Sequence, residues 1–422
     1  MKRGVLALVC LTSGCGGRNE PDVLVADAAA ADAARPAIVC VGAAVPPTTL
    51  DCTGLYSAIE TKQFAAGVRE YAPAVPLWSD GAVKRRWISI PAGQKIDASD
   101  PSEWKFPVGT KVWKEFSWGG KRVETRLFQK DLPNHWVHAA YAWNADESAA
   151  TISPGGDVPA PEGGTYHIPT RDECDECHRG RTDRLLGFEQ VSLGLSGASG
   201  LTLEKLASEG LITPVPSRTT LEIGDDGTGL AVAPLGWLHI NCGTTCHNGN
   251  PNSSAYGANM RLRLDPALLD GRSSAGFESL MTTVGAAVNA PAWIGRTRIL
   301  PGDPDNSLLV DLISHRGSVN QMPPIATRIV DDDAVRSVVA WIKKMPSNGP
   351  PANPTGTDAS IHVRDASVDA SAPVPVERDA RANEGGARRD ARAPATDARI
   401  PVALDAARDG TTGGDAASHT PG

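Results

Sequence analysis

Four of the eight cysteines stand in two close pairs, and a histidine directly follows each pair. The first group is CDECH, residues 174–178, and the second is CGTTCH, residues 242–247. A fold for this chain therefore has to bring two thiols and one imidazole together at each of two places. This requirement constrains the structure more than the overall composition does, because the average composition is that of an ordinary globular protein.

CDECH matches C-x-x-C-H, the attachment signature of c-type haem. In that chemistry Cys174 and Cys177 add to two vinyl groups of the porphyrin, and His178 becomes the proximal ligand of the iron. A zinc ribbon would need a second cysteine pair about 15 to 20 residues further on, whereas the next cysteine is Cys242. A thioredoxin-type dithiol belongs to a βαβ unit, and the sequence has no such pattern. The motif therefore predicts covalently bound haem c.

CGTTCH has three residues between Cys242 and Cys246 instead of two, so that haem attachment and a simple disulfide are both open on spacing alone. The surrounding sequence favours haem. Further along the chain, Met322 stands in QMPP between two predicted helices, and a thioether as second axial ligand raises the reduction potential of a haem. A core methionine is the alternative for this residue. We predict His247 and Met322 as axial ligands of a second haem.

The sixth ligand of the first haem is not fixed by the sequence. His167 precedes the motif closely, and His135, His138 and Met260 are the other candidates. If none of them binds, the iron is five-coordinate and open to small molecules.

The N-terminus predicts export. Lys2 and Arg3 precede an apolar run, residues 5–11, that is far shorter than the about 20 residues needed to span a bilayer. Small residues then lead to Cys15, as in a bacterial lipoprotein signal, in which this cysteine would carry the lipid. Removal of Cys15 with an ordinary signal peptide is the alternative. Residues 1–15 are predicted to be the signal peptide.

Two segments are too poor in large apolar residues to pack. Residues 16–37 are rich in Ala and Asp and predict a disordered linker. Residues 347–422 contain no aromatic residue, Lys or Cys and predict a disordered tail. In an exported protein, Cys40 and Cys52 are predicted to form a disulfide.

Residues 38–228 predict a β-rich module that ends in the first haem motif and a connecting segment. The stretch VKRRWISIPAG, residues 83–93, is rich in β-branched and aromatic residues, and HWVHAAYAWN, residues 135–144, is another such strand. Between them, residues 110–129 alternate on both sides of the Gly119–Gly120 pair and predict a hairpin. These signals predict a sheet without its topology.

Residues 229–346 predict a helical domain. Asp303 can cap a helix with Pro304 at its first position, and Asp331 or Asp332 can cap a second helix that ends in two lysines. The predicted fold class is therefore α+β multidomain, a β-rich N-terminal module followed by an all-α domain, with disordered tails.

The second half also carries a specific likeness. Its segments WLHINC, CHN, PGDPDNSLL, QMPP and the final V-x-x-V-V-x-W-I helix resemble a bacterial mono-haem cytochrome c domain, which identifies the predicted all-α domain as cytochrome c-like. With LWSDGAVKRRW, FPVGTKVWKEF, VETRLF, YAWN and YHIPTRDECDECH included, residues 55–345 resemble a family of exported bacterial di-haem c-type cytochromes. Some of its members occur beside or fused to sugar-dehydrogenase-like domains that use pyrroloquinoline quinone. The likeness carries over no catalytic residue.

These features favour an electron carrier over an enzyme. The resemblance implies haem c, two per chain, and a redox partner such as a dehydrogenase or a respiratory-chain component, in the periplasm or at a lipid-anchored position in the cell envelope. A peroxidase-like enzyme with an open haem iron and a haem-free protein held by zinc or disulfides are the alternatives. A net charge of −8 without a cluster of Lys and Arg argues against nucleic acid as a partner.

Overall fold

The computed structural model describes residues 40, 45–161 and 163–347. The strands are β1 (Tyr56–Ala58), β2 (Gln63–Phe64), β3 (Val68–Ala72), β4 (Val83–Ser89), β5 (Ile96–Asp97), β6 (Lys111–Trp118), β7 (Lys121–Leu132), β8 (His135–Trp143), β9 (Ala150–Ser153), β10 (Gly156–Pro159), β11 (Thr165–Ile168), β12 (Ser199–Gly200) and β13 (Ile212–Thr213). The helices are α1 (Arg171–His178), α2 (Gln190–Gly194), α3 (Leu203–Ser208), α4 (Val232–Leu238), α5 (Glu278–Met281), α6 (Leu308–Ile313) and α7 (Asp332–Lys344).

A seven-stranded antiparallel sheet organises the first half, with the strand order β12-β3-β4-β6-β7-β8-β9. Its central hairpin is confirmed as predicted, because Trp118 pairs with Lys121 across a two-residue turn. Gly119 and Gly120 both have positive φ angles, 54° and 75°. A two-residue hairpin turn with positive φ at both positions matches the twist of the strands, and glycine adopts it without strain.

Both faces of this sheet are covered. On one face, Trp87, Trp113 and Leu127 are buried beneath the segment that precedes β1. On the other face, Val112 and Phe128 are buried against the chain that follows α1. The central strands therefore bury apolar residues on both sides, with charged residues between them.

The predicted all-α cytochrome c-like domain is wrong, and the fold as a whole is β-rich. The described part of the second half has four α-helices, and only α7 is longer than seven residues. The apolar periodicity around Leu308 lasts for only six helical residues, since Asp303 and Pro304 lie in a turn and Ser307 is the residue before the helix. Much of the intervening chain consists of 3₁₀ turns and loops, in keeping with its many Gly, Pro, Asn and Asp residues.

The last helix follows the prediction. Asp331 caps α7 by accepting a hydrogen bond from the Ala334 amide, and Lys343 and Lys344 occupy its last turn. With α4 and α6 it encloses a core around Trp341. The described residues all belong to one compact unit.

Cys40 and Cys52 form a disulfide, with a distance of 2.07 Å between the sulfur atoms. The predicted signal peptide with Cys15, the linker of residues 16–37 and residues 348–422 of the predicted tail lie outside the described residues. Within the described part, no helix is long and apolar enough to cross a membrane.

Candidate functional site

CDECH forms most of helix α1. Thr170 caps the helix by accepting a hydrogen bond from the Glu173 amide (3.3 Å), and the Glu173 carboxylate accepts one in return from the Thr170 amide (2.8 Å). Residues three and four positions apart share one face of an α-helix. Cys174, Cys177 and His178 therefore project from the same side of α1, as attachment of one flat group to all three requires.

His178 is oriented by the chain that follows it. Its Nδ1–H donates to the Arg184 carbonyl oxygen (2.5 Å), and its ring stacks on Phe128 of β7 with centroids 4.1 Å apart. Burial holds the pKa of His178 well below its usual range, so the imidazole is neutral. Since Nδ1 carries the proton, Nε2 keeps the lone pair. A neutral histidine whose second nitrogen donates to a carbonyl is the usual form of a metal-ligating imidazole.

A buried ion pair fixes the turn that supplies this carbonyl. Asp183 accepts hydrogen bonds from Lys130 Nζ (2.7 Å), Trp136 Nε1 (2.7 Å) and the Phe106 amide (2.5 Å). The side chains of Lys130 and Asp183 are only 5% and 6% exposed. Because Asp183 immediately precedes Arg184, the ion pair between sheet and turn also holds the acceptor of His178.

CGTTCH begins on a wider helical turn, to which its first two residues, Cys242 and Gly243, belong. Helix α4 continues directly into a π-helical turn, His239–Gly243. The Thr244 amide donates to the His239 carbonyl and the His247 amide to the Cys242 carbonyl, both over 2.8 Å and both spanning five residues. Such a turn accommodates one residue more than an α-helical turn.

The wider turn compensates for the inserted residue of the motif. In an α-helix the third and fourth residues after a cysteine return to its face. In a turn that holds one more residue, the fourth and fifth do so, and after Cys242 these are Cys246 and His247. The six-residue motif can therefore present its two thiols and its imidazole in the way that CDECH does.

His247 is half-buried. Burial and the charges of Arg298 and Arg261 lower the pKa of His247 to about 4. The Met260 backbone beside the ring raises this pKa and partly offsets the lowering. Its Nδ1 is buried and has no hydrogen-bond partner in the described part of the chain. A neutral imidazole with an unsatisfied nitrogen fits a metal ligand. Met322 packs against the same core as Cys242, and so does Met260.

The thiols are protonated as they stand. Burial raises the pKa of Cys177 and of Cys242 to about 12, and also raises the pKa of Cys174 and Cys246. No group of three or more His, Cys, Asp or Glu side chains converges on a metal position among the described residues.

The segments that carry the two motifs are in contact, which no sequence pattern indicated. Ser254, which follows the second motif, donates from Oγ to the carbonyl oxygen of Glu176 inside the first motif over 3.2 Å. An added Cβ on Gly180 would lie 2.1 Å from the Thr245 carbonyl oxygen. In addition, Arg179 Nη2 donates to Ser254 Oγ over 3.1 Å. Both predicted attachment sites thus belong to one site between the sheet and the second half.

The candidates for the sixth ligand of the first haem differ in their surroundings. Both ring nitrogens of His167 are engaged, by Asp157 (2.7 Å) and by Glu173 (3.1 Å). His135 is exposed and bonded to Asp131. His138 alone of the three is buried, stacked on Phe128 at 4.9 Å, and it lines a cavity of about 350 Å³. Cys174, Ala140, Ile152, Pro169 and Arg171 also line this cavity.

Comparison of the chain with protein-family models, with curated proteins and with solved structures gives no match.

Proposed function

We propose that the protein is an exported c-type cytochrome that binds two haems covalently and transfers electrons. The observation that carries the proposal is the contact between the two segments that carry the Cys–His motifs, each of which has two thiols and a neutral histidine. Independent structural cysteines would not need a histidine in this position at both sites.

Each residue has a defined role in this proposal. Cys174 and Cys177 hold the first haem and Cys242 and Cys246 the second, each through two thioether bonds. His178 would hold the iron of the first haem through Nε2, and the Arg184 carbonyl keeps that nitrogen unprotonated. Bound haem supplies a one-electron redox couple.

At the second site His247 and Met322 would hold the haem iron. Burial of both histidines disfavours their charged form, which keeps them available to iron over the neutral pH range. A thioether opposite an imidazole raises the reduction potential. The second haem is therefore proposed to be the stronger electron acceptor of the two.

The contact between the motifs supports electron transfer within the chain. Because the segments that carry the two motifs touch at Gly180 and Thr245, two haems attached to them would be close to each other. We propose that one group receives electrons from a dehydrogenase in the cell envelope and that the other passes them to a respiratory-chain component. The disulfide between Cys40 and Cys52 is in keeping with an oxidising compartment.

The test is a count of haem per chain from the pyridine haemochrome spectrum, on protein made in a host with the c-type maturation apparatus. The parent is compared with two matched double variants, Cys174→Ala/Cys177→Ala and Cys242→Ala/Cys246→Ala. Two haems in the parent and one in each variant are expected. If the parent contains one haem and only the Cys174→Ala/Cys177→Ala variant loses it, CGTTCH is a structural element without haem. A parent without haem would overturn the proposal.

A further inference from the structure

Three cationic side chains lie side by side on one face of the large sheet. Arg86 of β4 is paired with Lys114 of β6, and Lys114 is paired with Arg126 of β7. Directly opposed residues on neighbouring antiparallel strands have their side chains on the same face and close together. These three residues, here called the cationic row, cross the centre of the sheet.

The cationic row lies on the face that contacts the first motif. Phe128 projects from the same face of β7 and stacks against His178 of α1. Lys114 is close enough to Cys174 and Cys177 that a thiolate at either position would raise its pKa. The row and the two attachment cysteines therefore face the same space between sheet and helix.

Two members of the row have no anionic partner in the described part of the chain. Arg126 is paired with Glu124, with Nε 3.0 Å from Oε2. Arg86 is 5% exposed and Lys114 half-buried, and neither side chain forms a hydrogen bond or an ion pair with a described residue. Burial and the charges of Arg86 and Arg126 lower the pKa of Lys114 to about 7.

An arrangement of this kind is unfavourable unless an anion is present. Buried charges without a partner destabilise a fold, and like charges directly opposite each other in a sheet do so as well. Arg86 and Lys114 could instead be satisfied by carboxylates, with which Arg and Lys form charge-assisted hydrogen bonds.

We propose that the cationic row binds the carboxylate side groups of the haem that is attached at Cys174 and Cys177. This inference rests on the proposed function, because the anion it requires is part of that haem. A free inorganic anion, such as sulfate, is the other source of the same chemistry. The row would then fix the porphyrin at its carboxylate edge while the thioether bonds fix it elsewhere.

The experiment uses the Cys242→Ala/Cys246→Ala chain, so that a single haem at CDECH is measured. Its reduction potential is compared, at one pH, with the same chain carrying Arg86→Gln or Lys114→Gln. Lys111→Gln is the matched control, because Lys111 lies on the same strand and donates to the Thr53 carbonyl on the opposite face. Removal of a nearby positive charge favours the oxidised haem. We expect the equilibrium constant for reduction of this haem to fall at least tenfold in both variants and not in the control. For one electron, this is a fall of 59 mV in the reduction potential.

Two further measurements separate charge from packing and haem from a free anion. Lys114→Arg keeps the charge and is expected to keep the potential, whereas a fall equal to that of Lys114→Gln would assign the effect to packing and overturn the inference. Titration of the single-haem chain with sulfate is expected to leave its potential unchanged, and a saturable shift would assign the row to a free anion. Haem retained at full occupancy with potentials equal to the Lys111→Gln control would also overturn the inference, yet leave the proposed function intact. Absence of haem from the parent would instead contradict the proposed function itself.

Discussion

A methyl group on Gly180 would lie 2.1 Å from the carbonyl oxygen of Thr245. Gly180 is the second residue after the first motif, and Thr245 lies inside the second. The absence of a side chain at one position therefore allows the backbones of the two motif segments to touch.

Gly180→Ala is expected to separate the segments, because the obstructing atom belongs to the backbone and cannot rotate away. Overpacking of this kind lowers the free energy of unfolding by about 1 to 3 kcal/mol, measured by denaturant unfolding. Gly257→Ala is the control, since no atom lies within 4 Å of its added Cβ and its backbone is not in the left-handed region. Equal effects of the two substitutions would contradict a close contact at Gly180.

Asp183→Asn removes the charge that neutralises buried Lys130. Breaking one partner of a buried ion pair lowers the free energy of unfolding by about 3 to 5 kcal/mol, and the turn that orients His178 depends on this pair. Asp131→Asn serves as control, because Asp131 pairs with the largely exposed His135 and exposed pairs contribute about 0 to 1 kcal/mol. Urea unfolding of the two variants at neutral pH measures the difference. A loss below about 1 kcal/mol in Asp183→Asn would show that the pair does not support the turn.

The buried Glu189–His239 pair predicts acid sensitivity. His239 Nδ1 accepts from the Leu264 amide (3.0 Å), so its Nε2–H donates to Glu189 (3.2 Å). Burial would raise the pKa of Glu189, but the bonds from His239 and Ser192 and the charge of Arg181 outweigh this and hold the pKa below its usual range.

A carboxyl whose pKa is lowered by folding stabilises the protein above its unfolded pKa of about 4.3, and this stabilisation is lost as the pH falls toward the folded pKa. The parent is therefore expected to lose stability below about pH 4.3. Glu189→Gln should be less stable by about 1 to 3 kcal/mol at pH 7 and show a smaller loss in acid. Unfolding curves between pH 3 and pH 7 test this, and parallel profiles of parent and variant would refute it.

Met322 and Met260 pack against the same core, which makes them a matched pair for the axial ligand of the second haem. In the Cys174→Ala/Cys177→Ala chain, Met322→Ala is expected to lower the reduction potential by at least about 59 mV, a tenfold change for one electron, because methionine ligation raises the potential. Met260→Ala should leave it near that of the parent. If Met260→Ala lowers the reduction potential and Met322→Ala does not, the thioether ligand is Met260.

The local elements of this fold could be predicted from the sequence. The Gly119–Gly120 turn and the Asp331 cap are short-range signals, and both elements form where the pattern indicated. The all-α second half was predicted wrongly, because apolar spacing around Leu308 is equally compatible with a single short helix between turns. The contact between Gly180 and Thr245 depends on tertiary packing of distant segments, and no local pattern encodes it. Likewise, the cationic row appears only once the strand register is known.

CGTTCH begins in the π-helical turn at His239–Gly243, and this bears on how cysteine motifs are searched for in genome sequences. A search restricted to the five-letter pattern C-x-x-C-H would count one group in this chain and pass over CGTTCH. The number of residues between two cysteines measures their separation along the chain. Attachment of a planar ligand depends instead on the angle between their side chains around the helix axis. Inventories of such motifs should therefore test each spacing against the helix type that carries it.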